Sequence, residues 1–231
     1  MKAENKSILK KAFTATLPVM AGYLVLGAGF GIILRSKGYG ALWAFAMSTV
    51  IYAGSMQYLA IDLITGGAGL LTTALTTLMV NARHLFYGVS MVDKYKNAGR
   101  AKPYMIYALS DETYSLVCVD TDMEEGQRNK YHFAVTALDQ FYWVVGSLLG
   151  SFLGSVLKFN TEGIDFALTA LFVTVFVEQW LSTKNHAAAI VGVAASVLCL
   201  VIFGEGSFLI PSMVAITLAM TLMRGKKEAV K

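Results

Sequence analysis

Apolar residues run through this chain in stretches too long for a strand and too continuous for the one-sided stripe of a soluble helix. Seven windows, residues 13–34, 41–61, 64–82, 141–157, 165–181, 187–203 and 208–223, carry almost no charge, and 103–119 forms a weaker eighth. A helix needs about 20 apolar residues to cross a bilayer, whereas a membrane β-barrel needs alternating runs of about ten. The pattern therefore predicts an all-α, polytopic membrane helix bundle with six to eight hydrophobic segments, read as one transmembrane domain over residues 1–231.

The polar interruptions are as informative as the runs. Gly54, Ser55 and Gln57 interrupt the second window, and the third, joined to it by the GGAG of residues 66–69, ends in Asn81, Arg83 and His84. If the first three windows all crossed, the loop 92–102, with four basic residues and one acid, would lie outside against the positive-inside bias. A broken or re-entrant pair around 54–69 removes that conflict, and such breaks are where transporters place substrate. Asp111 and Glu112 stand at the centre of the 103–119 window, where facing lipid would cost each about 2.5–3.5 kcal/mol, so either they point into the bundle or a wet cavity, or the segment is short and stops before the midplane. Gly146, Gly150 and Gly154 recur every four residues, as do Gly27 and Gly31, a spacing that suits close helix packing. The GAGFG around Gly27 departs from a dinucleotide fingerprint, because Ile32 stands where the last glycine belongs. Asp139 and Gln140, at the start of a long helix read over 131–157, are placed near the interface, Asp165 is read as a helix N-cap, and 120–130 as a solvated connection.

Composition narrows the class. The chain is 56% hydrophobic and 15% charged, with mean hydropathy +0.58. Its net charge of +4 does not point to nucleic acid, since 12 of the 19 Lys and Arg flank apolar segments at 2–11, 94–102 and 224–231. That distribution places both termini in the cytoplasm, and the first apolar run exceeds the 7–15 residues of a signal-peptide core, so it is read as a retained helix. Cys118 and Cys199 share no ligand or disulfide spacing and read as small core residues. No H-E-x-x-H, G-x-S-x-G or P-loop motif occurs, so neither an enzyme, an ATPase nor a cofactor or metal site is expected.

Each polar group has two readings. Arg83 either snorkels from a helix end or, with Asn81 and His84, faces a cavity and pairs a carboxylate from Asp111 or a substrate. Asp111 and Glu112 form a structural ion pair with Arg83 or carry a coupled proton. Gly54, Ser55 and Gln57 serve packing or line a broken helix, although the Gln57 amide must find partners in either case.

AGSMQYLAIDL (53–63), LTTLMVNARHLFYGVSM (75–91), SDETYSL (110–116) and GIDFALTALF (163–172) resemble the AzlC-type branched-chain amino-acid permeases, in order and over nearly the whole chain. The resemblance implies secondary transport, outward, of valine, leucine, isoleucine or similar apolar amino acids across a bacterial cytoplasmic membrane. It also implies a small AzlD-type membrane partner. On the physical reading, Gly54, Ser55, Gln57, Asn81 and Arg83 bind substrate by alternating access, while Asp111, Glu112 and His84 hold a proton or an internal ion pair. A channel-like or purely structural subunit is the competing reading.

Overall fold

The computed structural model describes residues 2–119, 123–156, 185–204 and 208–228, with isolated positions between 173 and 181. Asp165 and the motif around it lie outside the described residues. What is described divides into two compact units, residues 1–68 with 80–168, and residues 69–79 with 169–231.

The first unit is built on two helices. α1 (Lys2–Ser36) has 35 residues, and α8 (Glu125–Val156) has 32. At 1.5 Å per residue each is about 50 Å long, enough to span the roughly 30 Å hydrocarbon layer and continue into the headgroups. Among the described residues these are the two helices long and apolar enough to cross unaided. Their contact is backbone on backbone: a Cβ built at Gly31 would lie 2.1 Å from the Ser147 carbonyl oxygen, and one at Gly150 would lie 2.0 Å from that of Ala28. Gly146 meets the Tyr23 carbonyl in the same way, while Gly154 faces the aliphatic stem of Arg35. The outer side of α8 exposes Phe141, Leu149, Phe152 and Val156, an apolar face suited to lipid.

Half-length helices pack around this pair within the first unit, because the 41–61 and 103–119 windows break. The 41–61 window divides into α2 (Ala41–Val50) and α3 (Gly54–Thr65). Tyr52 lies between them with φ +40, a left-handed conformation that bulky residues rarely adopt. The third window yields α4 (Leu70–Val80), which belongs to the second unit, and α5 (Ala82–Met91) of the first unit begins where that window ends, with Asn81 between them. The eighth window gives α6 (Lys102–Tyr107) and α7 (Asp111–Val117). Breaks at membrane depth require substitute partners for the freed backbone. The Thr49 carbonyl at the end of α2, for example, accepts bonds from the Tyr107 hydroxyl and the Gln140 amide. At one end of the unit, Met91, Tyr95, Met105, Leu109 and Val117 pack on Ile8, Ala12 and Val135, tying the short helices to α1 and α8.

Three sequence expectations change. Arg83 does not end a run; it sits in the first turn of α5. Asp111 and Glu112 are not mid-helix but open α7, where Ser110 caps the Thr113 N–H. Finally, α8 starts at Glu125, inside the stretch read as a connection, so Asp139 is 14 residues into it and fully buried rather than interfacial.

In the second unit, α9 (Ala187–Phe203) packs against α10 (Leu209–Glu228). Gly204, at φ +72, ends α9. Ile190, Val193, Val197, Val201 and Ile202 of α9 are exposed, as expected of a helix in lipid.

Candidate functional site

Three of the half-helices begin close together, and Arg83 joins them. From the first turn of α5 its guanidinium donates to Ser55 Oγ, in the first turn of α3, at 2.8 Å. Its other terminal nitrogen lies 2.8 Å from an Asp111 carboxylate oxygen, at the first residue of α7. Helix N-termini carry unpaired N–H groups and partial positive charge, so Arg83 alone would add cation to cation; the Asp111 carboxylate offsets both. The pair is half exposed, with side-chain accessibilities of 40% and 35%. Asn81 Oδ1, Arg83 Nε and Asp111 Oδ1 are shielded yet have no hydrogen-bond partner. Unused donors and acceptors beside a reachable ion pair give the arrangement capacity for a polar ligand.

Beside this pair a line of hydroxyls runs inward. The Tyr23 hydroxyl of α1 is 2.6 Å from Glu112 Oε2 and 2.7 Å from Ser110 Oγ. Ser110 Oγ is 3.0 Å from Thr113 Oγ1, which donates to Asp139 Oδ2 at 2.7 Å. Sequence reasoning missed Tyr23, Ser110, Thr113 and the depth of Asp139. The signal for part of it was present, since a Ser followed by two acids is a helix-start pattern.

The other named residues divide. Gln57 is fully buried, its amide oxygen accepting from Trp143 Nε1 at 2.8 Å and its nitrogen facing Ser48 Oγ at 3.3 Å. Both ends are thus spent on joining α2, α3 and α8. A Cβ at Gly54 would meet the Trp143 ring at 3.0 Å, so this glycine lets the start of α3 lie against the indole. Gln57→Leu should lower stability by about 1–3 kcal/mol, because it leaves the indole N–H buried and unpaired. Adding Trp143→Phe should recover part of the loss, read as melting temperature in detergent; additive losses would show that the two side chains do not act together. His84 turns back to the Asn81 carbonyl, 3.3 Å away, and meets Tyr87 edge-on. Tyr87 stacks on Tyr114 at 4.5 Å, fixing α5 against α7.

The pattern described as AzlC protein matches residues 18–157, more than half of the chain and all of the site just described. This chain belongs to the AzlC family. It is 42% identical over 219 residues to the branched-chain amino acid transport protein AzlC of Bacillus subtilis, covering 95% of this chain and 86% of that one. A Helicobacter pylori membrane protein is 39% identical across 95% of this chain and 96% of its own. The inner membrane protein YgaZ of Escherichia coli is 25% identical over 191 residues, covering 79% of this chain and 78% of that one. No solved structure matches the chain. Family membership and the apolar helices together make this an α-helical membrane protein.

Proposed function

We propose that the chain is a secondary transporter that exports branched-chain amino acids across the bacterial cytoplasmic membrane, by alternating access coupled to protons. A small AzlD-type membrane subunit would act with it, and both termini would lie in the cytoplasm, where their basic clusters favour them. The observation that carries the proposal is the half-exposed Arg83–Asp111 pair beside the first turns of α3 and α5. An amino acid is a zwitterion and can exchange with such a pair. Its carboxylate takes the place of Asp111 on the Arg83 fork and lies against the unpaired N–H groups opening α3. The released Asp111 then receives the ammonium. Half-buried Leu59, one turn along α3, offers apolar surface to the branched side chain. The chemistry involves no covalent step, and the named residues bind and release. The transport activity in the name of the Bacillus relative agrees with this reading.

Labelled valine flux into proteoliposomes tests it, with this chain alone and with its partner, with and without an imposed pH gradient. Saturable, gradient-dependent flux that requires the partner is the expected result. Flux that rises linearly with valine would indicate a channel instead, and absence of valine flux from folded protein would overturn the substrate assignment.

A further inference from the structure

Asp139 has no role in the exchange just described, yet among the described residues it is the most deeply placed acid of the first unit. It is fully buried near the middle of α8, its Oδ1 has no hydrogen-bond partner, and its Oδ2 is held by a single hydroxyl, that of Thr113. Among the described residues no basic side chain pairs with it. The ionisable groups facing it are Glu112 of α7, Tyr52 between α2 and α3, Tyr104 of α6 and Tyr131 of its own helix. Tyr23 of α1 reaches it only through the hydroxyl line. An acid in such surroundings, surrounded by phenols and another acid, is expensive to keep charged.

From these contacts we infer that Asp139 is the proton-holding site of the carrier, loaded from half-exposed Glu112 through the hydroxyls of Tyr23, Ser110 and Thr113. The distances allow every bond to point the same way. Tyr23 donates to Ser110 at 2.7 Å, Ser110 to Thr113 at 3.0 Å and Thr113 to Asp139 at 2.7 Å, while a protonated Glu112 donates to Tyr23 across 2.6 Å. The transfer balances. The Glu112 proton moves to the Tyr23 oxygen, and each hydroxyl passes its own proton onward. Thr113 delivers one to Asp139 Oδ2, so one O–H bond breaks at Glu112, one forms at Asp139, and no charged phenol or alkoxide is left. Ser110 supplies the acceptor capacity this needs, since its oxygen takes the Thr113 N–H as helix cap with one lone pair and the Tyr23 hydroxyl with the other. The same two residues that start α7 therefore form the middle of the relay. The inference rests on the proton-coupled reading above and identifies where its proton resides.

Infrared difference spectra of the full chain in lipid vesicles, titrated with acid, test the site without any transport assay. The wild type should show the C=O band of a protonated buried carboxyl, lost in Asp139→Asn and kept in Glu112→Gln. Thr113→Val, nearly the same shape, should move that band to higher frequency, because the carboxyl loses its hydrogen bond. A band that survives in Asp139→Asn overturns the inference, as does its absence from the wild type. A second arm reads valine flux under a pH gradient. Asp139→Asn should lower the gradient-stimulated rate about 100-fold or more, Thr113→Val about tenfold, as for one lost hydrogen bond, and Asp139→Glu should retain most of it. Wild-type stimulation in Thr113→Val would overturn the relay, and this variant decides the matter if Asp139→Asn fails to fold. The band without any wild-type valine flux would leave the proton site standing and remove the substrate reading.

Discussion

Gly150→Val is expected to leave little folded protein in a detergent extract, whereas Gly22→Val on α1 should behave as the wild type. A Cβ at position 150 falls 2.0 Å from the Ala28 carbonyl oxygen and 2.6 Å from the Ala28 Cα, while one at Gly22 meets nothing within 4 Å. The obstacle at Gly150 is backbone inside a long helix, so no rotamer change can relieve it. α1 and α8 would have to separate along their crossing, and that crossing carries the unit: α2, α6 and α7 also pack on α8. Overpacking against movable side chains costs about 1–3 kcal/mol. Here, with backbone against backbone, the loss should exceed about 3 kcal/mol, a large part of a typical folding free energy. Size-exclusion profiles after a heat series give the readout. Equal melting of the two variants would show that α1 and α8 do not meet at these glycines.

Arg83→Ala should reduce valine transport by about 100-fold or more. It removes a charge-assisted bond to Ser55 and one to Asp111; such bonds are worth about 1.5–3 kcal/mol each, and every 1.4 kcal/mol is tenfold. Arg83→Lys should rescue little, because one ammonium cannot reproduce a planar fork that reaches two neighbours in different directions. The informative variant is Arg83→Ala with Asp111→Ala. If the pair only holds α5 to α7, removing both partners spares the cost of an unpaired charge, and transport recovers. If the pair receives the zwitterion, the double variant transports no better than Arg83→Ala. Initial rates normalised to folded protein separate the two cases.

The apolar runs and the tight glycine crossing were legible because hydrocarbon depth and close approach leave direct marks on composition. Legibility stopped at the breaks. The run into Arg83 contains neither Gly nor Pro between Leu70 and Ala82, so a pattern reader carries one helix through Asn81, where the structure starts another. The 103–119 window averages out as a weak span because its apolar flanks outweigh Ser110, Asp111 and Glu112, the residues that mark a new helix start. Asp139 was misplaced for a related reason. The apolar pattern starts the helix at Tyr131, which puts Asp139 near its beginning, but α8 begins at Glu125, and buried Tyr131, Val135 and Thr136 already belong to the packed interior. A carboxylate accepting from a threonine on another segment is a tertiary fact, with no periodicity to betray it.

Tyr52 offers a different consequence. Non-glycine residues held in sparsely populated backbone regions cost about 1–3 kcal/mol, and this one is held there by burial, with its hydroxyl lacking a hydrogen-bond partner. The junction of α2 and α3 is therefore a loaded spring. Any second arrangement that lets Tyr52 return to ordinary backbone angles recovers that energy, enough to alter the ratio of two conformers by roughly 5- to 150-fold. Under the alternating access proposed above, in which both faces are visited within one cycle, a single uncomfortable tyrosine at a helix break would help to keep the two states close enough in energy to interconvert.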